Sequence, residues 1–386
     1  MKLNKNVIAF TGGGTGGHIY PGLAVADELK TISKKNNITL EVYWIGCSKG
    51  MDRKIVESAT GSDGKPVIDK FYGIPSGKLR RYFSLKNFTD IFRIITGYFC
   101  ARRVLRKIKP TLLFSKGGFV SVPPCLAAKH LKVPLFTHEC DFTVGLANRL
   151  NFKNAKTIFL SYEETKKSLS PVEQNKVVVT GNPVRSVFYN IDSKEGMEFL
   201  CISKPKKPVL LVLGGSSGAK QINELVWENL EWLCKNFIVV HQTGLLNNDS
   251  QNEEALKQKY ADYKPYPFIY AQMPSVVASA DVILSRAGAN SIWEAAVLLK
   301  PMVLIPLCGS GTRGDQVDNA KFFEQKKSAI VLLGEEANSK NLQNALTKML
   351  DSKVRNEYSE NIKKMTGDKR SVDLIAQNLF NEIQGK

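Results

Sequence analysis

The sequence is poor in the groups that build metal centres and disulfide frameworks. Its 386 residues include four histidines, and no two of them stand four apart. Seven cysteines (Cys47, Cys100, Cys125, Cys140, Cys201, Cys234 and Cys308) form no C-x-x-C pair and are odd in number. That excludes a zinc ribbon and a disulfide scaffold, and leaves reduced thiols as the reading. No Asp-x-Asp pair is present to hold a metal–diphosphate complex, so no metal is expected. No run reaches the roughly 18 uncharged apolar residues that a membrane span needs. The residues ahead of Val7 lack the apolar core of a secretory signal, so a cytoplasmic chain is expected. Acidic residues are scarce too, 36 against 54 basic, giving a net charge of +18. Such a charge suits nucleic acid, anionic lipid or phosphorylated substrates, and its distribution decides among them.

What is present is an ordinary globular composition, 43% hydrophobic and 23% charged, with an internal repeat. Val7-Ile8-Ala9-Phe10 runs into Gly12-Gly13-Gly14-Thr15-Gly16-Gly17 and then a helical pattern from Pro21 to Leu29. Val209-Leu210-Leu211-Val212-Leu213 runs into Gly214-Gly215-Ser216-Ser217-Gly218 and a helical pattern from Ile222 to Val226. Continuous apolar strands are those of a parallel sheet buried on both faces. Further strands are expected at Leu40–Ile45, Thr111–Phe114, Pro134–Thr137 and Lys156–Leu160. In the second half they are expected at Phe237–His241, Phe268–Tyr270, Asp281–Leu284, Met302–Ile305 and Ala329–Leu332. The fold expected is α/β: two facing Rossmann-like domains, 1–183 and 184–367, with an interdomain cleft. The linker is placed near Gly181-Asn182-Pro183, and a helix over about 368–386 returns to the first domain.

The first loop satisfies G-x-G-x-x-G, yet the second strand ends Tyr43-Trp44-Ile45-Gly46 without the acid that would hold a dinucleotide ribose. It also approaches a P-loop, but His18 and Ile19 replace the Lys and the Ser or Thr. A glycine loop opening a helix remains, a place where a diphosphate or sugar meets backbone N–H groups.

Six segments carry a resemblance: Gly12–Gly22, Lys116–Ala127, His138–Asn148, Gly181–Arg185, Gly214–Asn223 and Ser285–Glu294, the last followed by Asp315-Gln316. Together they resemble the glycosyltransferases with two facing Rossmann domains (the GT-B type). Within that group they resemble the family that adds N-acetylglucosamine to lipid I in peptidoglycan synthesis. The resemblance implies an acceptor-side N-terminal domain and a donor-binding C-terminal domain, with UDP-N-acetylglucosamine as donor and undecaprenyl-linked lipid I as acceptor. No cofactor is implied, nucleic acid is not a partner, and cell-wall synthesis proteins are candidate partners. Residue by residue, Thr15, Gly16 and Gly17 match the loop approaching the donor sugar and acceptor diphosphate. Asp141, Arg185 and Ser216 match donor-contacting positions. Ala289, Asn290, Ser291, Ile292, Trp293 and Glu294 match the helix start that holds the nucleotide. Gln316 matches a sugar-contacting glutamine, Asp315 stands where relatives carry Gln or His, and Phe119 replaces a frequent Tyr. The uracil segment falls near Phe268–Met273, with Tyr270 and Met273 as its contacts.

The reaction so implied is inverting. The acceptor's 4-hydroxyl attacks the anomeric carbon and UDP leaves, helped by the Arg185 fork, Ser216 and a helix N-terminus. The Glu294 carboxylate suits the vicinal diol of a ribose. His18 is the first candidate for general base, with Asp141 and Glu139 as competitors; orienting the loop is the other reading of His18. His130 and His241 are read as structural.

Residues 78–109 hold ten basic residues against one acid, Asp90, with aromatics interleaved. RNA would fit, but an anionic membrane surface fits a lipid acceptor better. Docking is expected through Lys78, Leu79, Arg80, Arg81, Tyr82, Phe83, Lys86 and Phe88, with Ile91 to Val104 expected as an amphipathic core helix. The expected place is the cytoplasmic face of the cell membrane. A diacylglycerol glycosyltransferase and a non-catalytic nucleotide-sugar-binding protein are the alternatives.

Overall fold

The computed structural model describes residues 6–77, 85–215, 218–245, 250–309 and 312–385, and of 85–88 and 250–252 the backbone alone. The chain divides into two units, Met1–Ser186 with Lys369–Lys386, and Val187–Asp368.

The first unit holds strands β1 (Asn6–Thr11), β2 (Leu40–Cys47), β3 (Lys70–Ile74), β4 (Leu112–Ser115), β5 (Leu135–Glu139), β6 (Thr157–Leu160) and β7 (Val177–Val179). They form one parallel sheet ordered β3-β2-β1-β4-β5-β6-β7. Successive residues of a strand point to opposite faces, and both faces are covered. Ile8 and Phe10 join Leu23, Val25, Leu29 and Trp44 in one core, while Ala9 joins Leu113, Leu105, Ala128 and Phe152 in the other. The first of these cores is closed by the C-terminal helix Ser371–Ile383, whose Val372, Ile375, Leu379 and Phe380 pack with the residues of helix Tyr20–Lys35. Arg370, just ahead of the C-terminal helix, pairs with Glu28 of helix Tyr20–Lys35 at 3.0 Å, and Glu382 near its end pairs with Lys156, just ahead of β6, at 2.6 Å.

The second unit repeats the plan with β8 (Val209–Leu213), β9 (Ile238–Gln242), β10 (Tyr263–Tyr266), β11 (Val282–Ser285), β12 (Met302–Leu304) and β13 (Ala329–Val331). All are parallel, ordered β10-β9-β8-β11-β12-β13. Each sheet therefore reverses its winding direction beside its first strand, between β1 and β4 and between β8 and β11. The two glycine loops leave the carboxyl ends of β1 and β8, at these switch points, where ligands of open α/β sheets bind.

Phe268–Tyr270 is not a strand. The sixth parallel partner is Tyr263–Tyr266, and Pro267, which has no N–H to give a ladder, follows it directly. Strands β3 and β7 were not anticipated either. With β10 they lie at sheet edges, where one side needs no partner and Pro265 is tolerated.

Leu379 is fully buried among the residues of the first core. Leu379→Ala is expected to lower unfolding free energy by about 2–5 kcal/mol in urea titrations. A change below about 1 kcal/mol would mean that the C-terminal helix adds little to this core.

Candidate active site

In the first unit, the candidate residues gather at the carboxyl edge of the sheet. Thr11 ends β1 with its hydroxyl on the Ile45 carbonyl at 2.8 Å, and the loop then turns into a short 3-10 segment, Gly16–His18. Gly14 has φ +84°, and a Cβ there would lie 2.2 Å from the Phe119 ring, so only glycine fits. The loop is held from below. Asp52, almost fully buried, accepts Gly14 N–H at 2.9 Å and Cys47 N–H at 2.9 Å, while Trp44 Nε1 donates to the Gly12 carbonyl at 3.1 Å. Neither anchor has a sequence signature as part of the site; Asp52 is one acid in a polar helix start.

His18 Nδ1 lies 3.2 Å from the Lys116 carbonyl. A carbonyl only accepts, so Nδ1 carries the proton and the basic lone pair of the neutral ring sits on Nε2. Thr15, Gly16 and Gly17 stand beside it, with His18 N–H closing onto Thr15 O at 3.1 Å. Arg185 belongs to the first unit, and its guanidinium lies 5.5 Å over the ring of Tyr20, the residue that opens the helix after the loop.

Glu139 is corrected as a base. Its carboxylate is buried and accepts from Cys140 N at 2.9 Å, Asp141 N at 3.1 Å, Gly145 N at 2.8 Å and Asn148 Nδ2 at 3.1 Å. Four donors match the acceptor capacity of a carboxylate, so Glu139 shapes the loop that carries Asp141 rather than taking a substrate proton. His130 meets Tyr98 OH at 2.9 Å on the outside of this unit.

In the second unit, helix Ala289–Val297 starts after β11. Asn290, Ser291 and Glu294 are on its more open side, Glu294 one turn after both, at i+4 from Asn290 and i+3 from Ser291. Ile292 and Trp293 do not: both are buried, with Trp293 edge-on to Phe323 at 6.0 Å, so they support the helix from the core. Gln316 accepts Leu307 N–H at 3.0 Å through Oε1, which leaves its amide hydrogens as the donating end. Asp315 pairs with Arg313 at 3.1 Å. Tyr270 is exposed and packs edge-on against Phe268 at 4.6 Å; Met273 opens the next helix. Buried Gln242, missed in the sequence, joins the two regions: Nε2 reaches Gly215 O at 3.4 Å and Oε1 accepts Ile269 N–H at 3.0 Å. Ser216 lies outside the described residues.

Under the second loop runs a buried chain of hydrogen bonds. Trp227 Nε1 donates to Tyr263 OH at 3.1 Å; Tyr263 OH and His241 Nδ1 are 3.1 Å apart; His241 Nε2 and Asn223 Oδ1 are 3.1 Å apart; Asn223 Nδ2 donates to Thr243 O at 2.9 Å. Burial lowers the His241 pKa to about 3, and burial with the Lys116 charge holds His138 well below the usual histidine value.

These two halves match the family models for the glycosyltransferase family 28 N-terminal domain, over residues 8–160, and C-terminal domain, over residues 209–378. The chain belongs to glycosyltransferase family 28. It is 51% identical over 335 residues, 85% of its length and 84% of the relative's, to the UDP-N-acetylglucosamine–N-acetylmuramyl-(pentapeptide) pyrophosphoryl-undecaprenol N-acetylglucosamine transferase of Treponema denticola. The transferase of the same name from Clostridium botulinum (strain Kyoto) is 39% identical over 361 residues, covering 94% of this chain and 95% of that one. The crystal structure of Acinetobacter baumannii MurG shares the fold, with a TM-score of 0.72 over 99% of this chain and all of that one, at 24% identity. The family read from the six segments is the one these comparisons return.

His241 and His138 stay neutral in the fold but gain a proton when unfolded below pH ~6.5. The unfolded state then binds more protons, so stability is complete above that pH and falls as acid is added. His241→Gln is expected to remove about one proton, about 1.4 kcal/mol per pH unit, from the slope of unfolding free energy between about pH 6 and pH 4. Equal slopes in urea titrations of both proteins would show that His241 is not the group titrating.

Proposed function

We propose that this protein transfers N-acetylglucosamine from UDP-N-acetylglucosamine to lipid I, forming lipid II for peptidoglycan. The observation that carries the reading is the 51% identity, along most of both chains, to a transferase of that name. In the proposed step the 4-hydroxyl oxygen of the acceptor's N-acetylmuramyl sugar bonds to the anomeric carbon as the bond from that carbon to the UDP oxygen breaks. The α-linked donor gives a β product, and the hydroxyl proton passes to a base. His18, with its lone pair on Nε2, suits that role, and Asp141 is the alternative acceptor. UDP leaves with its electron pair, its charge met by Arg185, by Ser216 and by the helix start after the second glycine loop. Glu294 accepts from the ribose hydroxyls, Asn290 and Ser291 face the nucleotide, and Gln316 donates to the sugar. Tyr270 and Met273 border the uracil. Thr15, Gly16 and Gly17 receive the acceptor diphosphate. The proposed chemistry uses no metal: the leaving group is met by Arg185 and N–H dipoles.

The acceptor is a lipid, and the proposal includes docking on the cytoplasmic face of an anionic membrane. Residues 78–84 of the expected docking segment lie outside the described residues, as do the side chains of Lys86 and Phe88. Helix Leu85–Ile108 corrects the expectation for Ile91 to Val104. Ala101 and Leu105 enter the core, but Ile91, Phe92, Ile95 and Phe99 form an exposed stripe, Phe92 and Phe99 at 62% and 59%. Arg93, Arg103, Arg106 and Lys107 are exposed around it. Apolar rings rimmed by cations match an anionic lipid surface in both shape and charge. Among the described residues no helix is long and apolar enough to cross a membrane.

Labelled N-acetylglucosamine is expected to pass from its UDP donor to a short-chain lipid I analogue with EDTA present, and His18→Ala to lower kcat by about 10²–10⁴-fold. Transfer abolished by EDTA would refute the metal-free step, and near-normal turnover of the variant would remove His18 as base. Phe92→Ser with Phe99→Ser is expected to reduce co-sedimentation with liposomes containing phosphatidylglycerol, while the soluble analogue is still turned over. Sedimentation indifferent to anionic lipid and to both substitutions would end the docking proposal.

A further inference from the structure

Lys116 follows β4 and is the most buried cation near the first loop, 1% exposed. Its backbone is fixed on two sides. Its N–H donates to Thr11 O at 2.9 Å, and its carbonyl accepts His18 Nδ1–H at 3.2 Å. Its stem runs beneath the loop, with Cβ 3.2 Å from where a Gly12 Cβ would stand. The ammonium ends 2.9 Å from Nδ1 of fully buried His138, whose Nε2 lies 3.0 Å from the Gly181 carbonyl. Among the described residues no carboxylate pairs with this ammonium. An ammonium only donates, so His138 Nδ1 accepts and Nε2 carries the proton to Gly181 O: one tautomer satisfies both ends.

A buried cation resting on a neutral imidazole is an expensive way to fill space; an apolar side chain of similar volume would stabilise the fold as well or better. Its use here is directional. We propose that Lys116 is a positioning residue for the transfer: its carbonyl orients the His18 ring, and its ammonium, through His138, holds the Gly181 carbonyl. The base and the segment leading to Arg185 then share one buried support. Gly181 takes φ +78°, a conformation that the hydrogen bond to His138 secures from inside. The turn after Lys116 closes on the same centre, since a Cβ at Gly118 would lie 2.6 Å from Gly13 O and 2.8 Å from His18 Cδ2. The inference rests on the reading in which His18 takes the acceptor proton.

The chain has four histidines, so selective ¹⁵N-histidine labelling gives a ring spectrum simple enough to assign by substitution. In the unaltered protein His138 is expected as the pure Nε2–H form near neutral pH and His18 with its proton on Nδ1. Lys116→Met is expected to disturb both rings and to lower kcat about 10–100-fold, with KM for UDP-N-acetylglucosamine changed less than about twofold. An Nδ1–H form of His138 in the unaltered protein would overturn the proposal, as would a Met variant with kcat within about twofold of normal. Should that variant fail to fold, two others decide. His138→Gln keeps an acceptor for Lys116 and a donor for Gly181 and is expected to keep most of the activity, whereas His138→Leu loses it. Equal kcat in these two would overturn the proposal. Absence of any transfer by the unaltered protein would instead fail the functional reading and leave the ring spectrum to judge the geometry.

Discussion

A parallel sheet covered on both faces can offer a ligand only the ends of its strands. In each unit of this chain the central strands are largely apolar and buried, and in the first unit alternate side chains enter two different cores. Backbone groups of the central strands are already paired on both sides, so in the middle of the sheet N–H groups are left for a ligand where the chain leaves a strand and starts a helix. The winding reverses beside β1 and β8, which separates the flanking connections and leaves the loop between them uncovered. The glycines at these points serve that geometry: Gly14 would collide with Phe119 if it carried a side chain, and Gly218 with the Thr243 carbonyl. Candidate chemistry therefore sits where the sheet's own stability makes least demand.

Loops of this kind are held in shape by polar groups placed underneath. Asp52 takes two backbone N–H groups, Glu139 takes three and an amide, and Gln242 joins a glycine loop to the Phe268–Tyr270 segment. Each of these side chains is nearly fully buried. In so low a dielectric, a lost partner would leave an unpaired polar group costing about 1–3 kcal/mol or more, so these contacts favour one loop conformation over its neighbours. The Trp227–Tyr263–His241–Asn223 chain does the same below the second loop, and its direction follows from donors and acceptors alone. Asn223 Nδ2 donates to Thr243 O, so its Oδ1 accepts His241 Nε2–H; Nδ1 of the neutral ring then accepts the Tyr263 hydroxyl proton, and Tyr263 accepts from Trp227.

The sequence displayed the interior strands and both glycine loops because burial on two faces enforces continuous apolar runs. Of the four edge strands it showed only Ala329–Val331. Lys70–Ile74 mixes a lysine and a glycine into its strand, Val177–Val179 is three residues long, and Tyr263–Tyr266 contains a proline. An edge strand answers to one neighbour, so its residues carry less of a pattern. The site was visible where residues touch solvent and opaque where they support from below. A motif shows His18, Asp141 and Glu294, but nothing in the run His138-Glu139-Cys140-Asp141 tells which acid faces inward. The motif also sweeps in Ile292 and Trp293, which helical periodicity sends to the core.

Helix Leu85–Ile108 follows a different logic. Its inner face is small or aliphatic, with Gly97, Ala101 and Leu105 buried, which lets the helix sit close to its neighbours. Its outer face carries phenylalanines and isoleucines that stay more than two-fifths exposed, Phe99 meeting only the edge of Tyr98 at 5.2 Å among the contacts described for it. Exposed rings in water are unfavourable, each about 150–250 Å² of apolar surface. A soluble domain would do better with polar residues there, and the neighbouring arginines show that polar residues are accepted on this helix. Charge alone suits any polyanion, whereas the docking proposed above uses rings and cations together, as a surface with an apolar interior beneath an anionic face requires. A nucleic-acid partner would use the cations and leave the isoleucines without a role, which is why the lipid reading accounts for more of this helix.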